Sequence, residues 1–138
     1  MSYQRRFTVS SKGRGFTDIT ARVAEIVSTA SIGCGIANVF TQHTSCSLTI
    51  TENADFDVRR DLESLALRWA PDGDPAFRHV LEGDDDMSAH GRSVLAGVSL
   101  CLPVAQGSLL LGTWQGIFLW EHRTEPLRRE VIVTVIGE

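Results

Sequence analysis

A strongly apolar segment near the C-terminus, residues 112–123 (GTWQGIFLWEHR), constrains the fold of this chain more than any other stretch. Its centre, residues 117–120, consists of the bulky and aromatic side chains that favour a packed β-strand. Glu121, His122 and Arg123 follow directly. Because side chains alternate along a strand, Glu121 and His122 should point to opposite faces of the sheet. The charged end is therefore either a functional site or a strand end exposed to solvent.

Further strands and two or three helices are predicted around this segment. Apolar residues at helical spacing predict one helix over residues 19–30 and a second that begins near Asp55 and ends before Pro71. A short third helix with Ser88 as its N-cap carries His90 and ends at Gly97. Strands are expected over residues 2–10, 36–42, 45–51, 98–104, 108–111 and 129–137, the last apolar on both faces. The chain is thus predicted to be a single α+β domain, residues 1–138, with an antiparallel β-sandwich-like core.

Composition excludes several classes of function. The 138 residues carry a net charge of −4, and the basic residues are scattered, so no nucleic-acid partner is expected. No apolar run approaches the ~20 residues of a membrane span, and the N-terminus lacks a signal peptide. Cys34, Cys46 and Cys101 are odd in number and far apart, which favours buried reduced thiols. Together these features predict a cytoplasmic protein without a membrane partner.

Several polar residues could carry chemistry, although none stands in a complete motif. His43 lies where an apolar strand meets a hydroxyl-rich one, and His90 follows an acidic loop. Residues 84–86 (DDD) could hold Mg²⁺ together with substrate phosphates, or they form a solvated acidic turn. Arg123 suits a phosphate clamp, or it is an exposed strand-end arginine. No nucleophile elbow accompanies Ser45 or Ser47, which argues against a serine hydrolase.

Several motifs in register resemble the YjbQ-like family, whose members are described as secondary thiamine-phosphate synthases. These motifs are QHTSCSLTITENAD, VRRDLE, DDMSAH, LPV and GTWQGIFLWEHR, and the resemblance extends from Tyr3 to Glu138. It implies an α+β fold with a β-sandwich core, assembly as a homotrimer, and sites near the subunit interfaces. Two prolines common in relatives are replaced here by Phe56 and Ser88, which puts the rigidity of the neighbouring loops in question.

The resemblance also implies an activity and a set of site residues. The activity is a weak transferase reaction that joins an aminopyrimidine methyl diphosphate to a thiazole phosphate and releases diphosphate, with Mg²⁺ or another divalent metal. The expected roles are catalytic for His43, His90, Glu121 and Arg123, substrate-binding for Glu52, Asn53, Gln115 and His79, and metal-binding for Asp85, Asp86 and His122. Alternatively, His43 or His90 could ligate a transition metal or move protons. The alternatives are a metal-dependent hydrolase or lyase acting on another phosphorylated small molecule, and a non-catalytic trimer that binds a small ligand.

Overall fold

Eight strands and three helices make up the computed structural model, which describes residues 1–138. In chain order they are β1 (Ser2–Ser10), β2 (Gly15–Asp18), α1 (Thr20–Thr29), β3 (Cys34–Thr41), β4 (Cys46–Glu52), α2 (Phe56–Trp69), α3 (Asp86–Ala96), β5 (Ser99–Ala105), β6 (Ser108–Leu109), β7 (Gln115–Glu121) and β8 (Arg128–Gly137). None of the helices has the length and apolar content needed to cross a lipid bilayer.

The strands form two antiparallel sheets that enclose the main core. The larger sheet has the order β1-β8-β3-β5-β6, and the smaller has the order β2-β7-β4. Val39 of β3, Val133 of β8 and Leu119 of β7 are fully buried in the core between the sheets, which α1 completes with Val23 and Val27. The mixed α+β class and the antiparallel sandwich-like core are therefore confirmed.

Strand β7 is packed, as its apolar run predicts, and it is buried on both faces. Ile117 and Leu119 belong to the core between the sheets. On the other face, the Trp120 ring stacks on Phe16 at 4.5 Å, and its indole N–H donates to Glu63 of α2 at 2.6 Å. Helices α2 and α3 cover this outer face, so the smaller sheet forms the middle layer of the molecule.

Three local predictions are wrong. Helix α3 begins at Asp86, and Ser88 lies buried inside it, where its hydroxyl donates to Asp72 and does not cap the helix. Strand β8 is not covered on both faces, because Ile136 is 52% exposed while Val131, Val133 and Val135 are buried. Of the cysteines only Cys46 is buried, whereas Cys34 and Cys101 are exposed. Period-two alternation decides burial in these strands more than local hydrophobicity does.

Candidate metal centre

Two histidines and one aspartate converge at the N-terminus of α3. Asp86 is in the first turn of the helix, and His90 follows one turn later on the same face. His79 comes from the preceding irregular segment. One oxygen of Asp86, Oδ2, lies 2.7 Å from Nε2 of His79 and 3.1 Å from Nε2 of His90. The three ligand atoms lie within 4.8 Å of one another, which is close enough for all three to bind one metal ion.

The surroundings of His90 require a positive charge between it and Asp86. Its Nδ1 lies 2.9 Å from the carbonyl oxygen of Thr44, and that oxygen can only accept a hydrogen bond. When Nδ1 carries the proton of a neutral imidazole, the lone pair of Nε2 faces the Asp86 carboxylate. Either a second proton or a cation must then separate the two groups. A backbone carbonyl that fixes one nitrogen and leaves the other free is the usual arrangement around a metal-bound histidine.

Arg123 adds a positive charge beside this cluster. Its Nη1 donates to Oδ1 of Asp86 at 2.8 Å, and its Nε donates to Asp85 at 3.1 Å. Asp85 also accepts hydrogen bonds from the backbone N–H and the hydroxyl of Thr124. Burial opposes ionisation of Asp85, but the bonds from Thr124 and Arg123 outweigh it and lower its pKa to about 2. Asp85 therefore orients Arg123, and it lies outside the group of three residues that could share one metal ion.

Burial and neighbouring positive groups also act in opposite directions on the ionisation of Asp86. Its carboxyl is buried, which opposes ionisation, but His79, His90 and Arg123 more than compensate and hold its pKa below the usual value. The carboxylate is consequently charged at neutral pH, as metal binding requires.

A cleft of about 780 Å³ opens next to the cluster. His90, His43, Thr44 and Ser93 contribute to its walls, together with apolar residues of β3 and α3. Nε2 of His43 accepts a hydrogen bond from the backbone N–H of Glu130 at 2.9 Å. Burial and the nearby Arg129 lower the pKa of His43, so its ring is neutral at pH 7 and Nδ1 carries the proton. His43 can therefore donate a hydrogen bond to a ligand, but it is not a cationic partner for diphosphate.

The structure places the expected catalytic residue Glu121 inside the fold. The residue has no solvent exposure and points into the core between the sheets. Its two oxygens accept from Nε and Nη2 of Arg129 at 2.8 and 2.5 Å, from the hydroxyl of Ser11, and from the backbone N–H groups of His122 and Arg123. Every lone pair of the carboxylate is thus occupied within the fold. Glu121 neutralises Arg129 and fixes the end of β7 that carries Arg123.

His122 points to the opposite face from Glu121, as strand alternation predicts. It is fully buried, and its Nε2 forms a hydrogen bond of 2.7 Å with the hydroxyl of Ser47. Its Nδ1 has no partner, and the ring is not part of the histidine and aspartate cluster. The expected metal ligand His122 therefore lies apart from His79, Asp86 and His90. Burial, aided by Arg92, Arg14 and Arg129, lowers the pKa of His122 to about 3.

This buried histidine predicts an acid-sensitive fold. Between about pH 3 and pH 6.5 the unfolded chain binds a proton at His122 that the folded chain does not, so the free energy of unfolding falls as pH decreases through this window. Each bound proton contributes about 1.4 kcal/mol per pH unit. Relative to the wild type, H122Q should lose about 2 kcal/mol less stability between pH 6.5 and pH 4.5. Urea unfolding at both pH values measures this difference.

Above pH 7 both proteins carry a neutral side chain at this position. Their unfolding free energies should then change in parallel with pH, which provides the control. Equal losses of stability for both proteins between pH 6.5 and 4.5 would show that His122 is not responsible.

Three expected substrate-binding residues lie at the other end of the smaller sheet. In the pairing of β4 with β7, Cys46 is opposite Glu121 and Glu52 is opposite Gln115. Six residues of strand separate these ends, a distance of about 20 Å. Asn53 donates to the backbone carbonyl of Gln115 at 3.4 Å, so these residues do lie together. Within one chain, however, Glu52, Asn53 and Gln115 cannot contact a small molecule bound at the metal centre.

The sequence predicts a substrate-binding role for His79, and for His90 a catalytic role with metal binding as the alternative. In the structure the ligand atoms of both histidines meet at Asp86. One usable signal was available, because Asp86 and His90 have the i,i+4 spacing that puts two side chains on one helical face. No spacing points to Thr44 or Arg129, because their contacts depend on the pairing of distant strands.

Comparison with known proteins identifies relatives over nearly the whole chain. A family model described as UPF0047 protein YjbQ-like matches residues 5–138. The YjbQ protein of Salmonella typhimurium is 47% identical, with all of both chains covered. A UPF0047 protein of Synechocystis is 43% identical, covering 99% of this chain and 92% of its own length.

Solved structures share the same fold. A YbjQ-like protein of unknown function from Sulfolobus solfataricus has a TM-score of 0.92 and 27% identity, with 100% of this chain and 99% of that chain covered. A conserved hypothetical protein from Thermus thermophilus has a TM-score of 0.84 and 39% identity, with 96% and 99% covered. The agreement extends over the whole domain, including the segment that carries the candidate metal centre.

Proposed function

The chain belongs to the YjbQ-like UPF0047 family, and we propose that it is a divalent-metal-dependent enzyme that acts on a small phosphorylated substrate. One observation carries the proposal: His79, Asp86 and His90 meet at a single point beside Arg123 and a cleft of about 780 Å³. A bound cation at that point would supply Lewis-acid stabilisation of phosphate oxygens. Two histidines and a carboxylate favour a transition metal such as Zn²⁺, Mn²⁺ or Fe²⁺ over Mg²⁺, which prefers oxygen ligands.

The first candidate reaction is the formation of thiamine phosphate. The thiazole nitrogen attacks the methylene carbon of the aminopyrimidine methyl diphosphate, the carbon–oxygen bond breaks, and diphosphate leaves with the electron pair. Arg123 is suited to hold the diphosphate, because it is already oriented by Asp85 next to the cluster. His43 donates from Nδ1 in the same cleft and could position the second substrate. Catalysis then requires mainly orientation and charge stabilisation.

The second candidate is hydrolysis of a phosphorylated small molecule, and the histidine-rich ligand set favours it. Three protein ligands with an open position are typical of hydrolytic zinc sites, where water is activated. The chain offers no glycine-rich phosphate loop, so side chains must bind the substrate in either reaction. A third alternative is a small-ligand binding protein that has the same site but does not turn over its ligand.

We also propose that the active assembly is a homotrimer. The outer face of the larger sheet carries exposed apolar side chains, with Ile36 at 45%, Phe40 at 37% and Ile136 at 52% exposure. Ile36 and Ile136 are direct register partners, and Phe40 pairs with Ile132 further along the same two strands, so this face carries two neighbouring apolar pairs. Such a patch on a single chain favours contact with another copy. Packing of this kind offers a way to bring Glu52, Asn53 and Gln115 of a neighbouring copy to the cleft.

An assay with the two thiamine precursors tests the transferase. The protein, stripped of metal and reloaded with Zn²⁺, Mn²⁺ or Mg²⁺, should release diphosphate only with metal, and H90A should abolish turnover. Loss of roughly 100-fold or more is expected, because a ligand that also lines the cleft is removed. D84N, which changes an exposed acid outside the cluster, is the matched control and should retain wild-type turnover. Phosphate release from the precursors without coupling would favour the hydrolase.

Metal-independent turnover, or turnover that H90A leaves unchanged, would refute the metal-dependent enzyme. Binding of the precursors without any product, in metal-loaded protein, would favour the binding protein instead.

A further inference from the structure

A second, smaller cavity lies on the other side of α3 from the metal centre. It is a crevice of about 290 Å³ between α2 and α3, over the outer face of the smaller sheet. Its walls include Ala66, Trp69, Arg92, Leu95, Ala96 and Trp120. Arg92, Leu95 and Ala96 occupy a different face of α3 from Asp86 and His90, because successive helical residues are rotated by about 100°. The crevice and the metal centre are therefore separate sites.

The guanidinium of Arg92 is the charged group of this crevice, which Thr49 also lines, and it is only partly paired. Its side chain is 1% exposed, and its Nη1 donates to Glu63 at 2.9 Å. No protein group accepts a hydrogen bond from Nε or Nη2. The other oxygen of Glu63 accepts from the indole N–H of Trp120 at 2.6 Å. Glu63 thus fixes the orientation of Arg92 while leaving one edge of the guanidinium without an acceptor.

That free edge has the geometry of an anion site. The Nε and Nη2 hydrogens are parallel and match the two oxygens of a carboxylate. Because Glu63 already balances the charge of Arg92, a singly charged ligand is favoured over a dianionic phosphate. Apart from Thr49, the remaining walls are apolar and contain the indoles of Trp69 and Trp120, which favours a flat apolar body. The volume suits a small ligand of one or two rings.

We propose that the crevice between α2 and α3 binds a small organic monocarboxylate with a planar apolar body, held by the Nε–Nη2 edge of Arg92. This site does not depend on the proposed enzymatic function. Ligand exchange at the crevice needs no metal and no turnover.

Titration of the full chain with benzoate and indole-3-acetate, followed by the NMR resonances of the three tryptophan indole N–H groups, tests this site. Trp69 and Trp120 line the crevice, so their resonances should shift and saturate. Trp114 is an internal reference, because it lies in the connection between β6 and β7 and does not line the crevice. Inorganic phosphate at the same concentrations should leave Trp69 and Trp120 unchanged.

Two variants sharpen the test. Leu95 is 66% exposed, so its replacement should leave the fold intact. L95E places a like charge at the rim and should weaken carboxylate binding roughly fivefold relative to L95Q, which has the same size without the charge. R92K keeps the charge but removes the forked edge, and should weaken binding at least about tenfold.

The Leu95 pair decides the question even where R92K is unstable. Saturable shifts that weaken in L95E support the site. The proposal is overturned by the absence of saturable shifts, by equal shifts with inorganic phosphate, or by equal affinities of L95E and L95Q. None of these outcomes involves metal or catalysis, so failure here is distinct from failure of the proposed enzyme.

Discussion

The D86N variant should bind divalent transition metals roughly 100-fold more weakly than the wild type, or worse. Loss of a group that only supports a metal ligand lowers metal affinity by about 10- to 100-fold, and Asp86 would itself be the central ligand of the cluster. Its Oδ2 is the atom on which both His79 and His90 converge. Asparagine keeps the shape of the side chain but removes its charge, so the change isolates the electrostatic contribution. Isothermal titration with Zn²⁺ and with Mn²⁺ measures the effect.

The matched control for this experiment is D84N. Asp84 belongs to the same run of three aspartates, but it is exposed and outside the cluster. Its replacement should change metal affinity by less than about twofold, because an exposed charge has only a small effect. Equal metal affinities for wild type and D86N would contradict the assignment of the metal centre. A large effect of D84N would instead indicate a diffuse acidic surface.

The E121Q variant should be destabilised by about 3–5 kcal/mol, because it leaves a buried arginine without a counter-charge. Arg129 is 5% exposed and makes two of its hydrogen bonds to Glu121. Burial opposes ionisation of Glu121, but the bonds from Arg129, Ser11 and Arg123 hold its pKa below the usual value, so the pair is charged at neutral pH. Urea unfolding at pH 7, with the protein concentration held fixed, measures the loss.

An exposed carboxylate on the same segment provides the comparison. Glu125 is 62% exposed and lies 3.9 Å from Arg123, so E125Q should change the unfolding free energy by no more than about 1 kcal/mol. A wild-type stability for E121Q would show that the buried pair contributes little. The catalytic interpretation of Glu121 would be supported instead if turnover fell while stability did not change.

Much of the fold is encoded in local patterns of the sequence. The apolar run of β7 predicts a packed strand, and the structure places that strand in the middle of three layers. The alternation of side chains also separates Glu121 from His122 before any tertiary contact is known. Strand β8 is less predictable, because the covering of its second face depends on what packs against the sheet. The exposure of Ile136 cannot be inferred from the strand alone.

The candidate site depends on contacts that local patterns do not contain. His79 lies in a segment without periodicity, so its approach to Asp86 arises only from the path of the chain between α2 and α3. Glu52 and Gln115 belong to β4 and β7, and the residues that contact the cluster, Thr44 and Arg123, adjoin the same two strands. Antiparallel pairing nevertheless places them at the opposite end of the sheet, because residues at the start of one strand meet the end of the next. A family motif thus groups residues that one chain keeps apart.

Anomalous diffraction from crystals grown with Zn²⁺, and separately with Mn²⁺, tests whether His79, Asp86 and His90 bind one divalent metal ion. We expect one strong peak about 2.0–2.2 Å from Nε2 of both histidines and from a carboxylate oxygen of Asp86, with Nδ1 of His90 still donating to Thr44. A peak bound by other residues, or no peak while His79 and His90 remain in direct contact with Asp86, would contradict it.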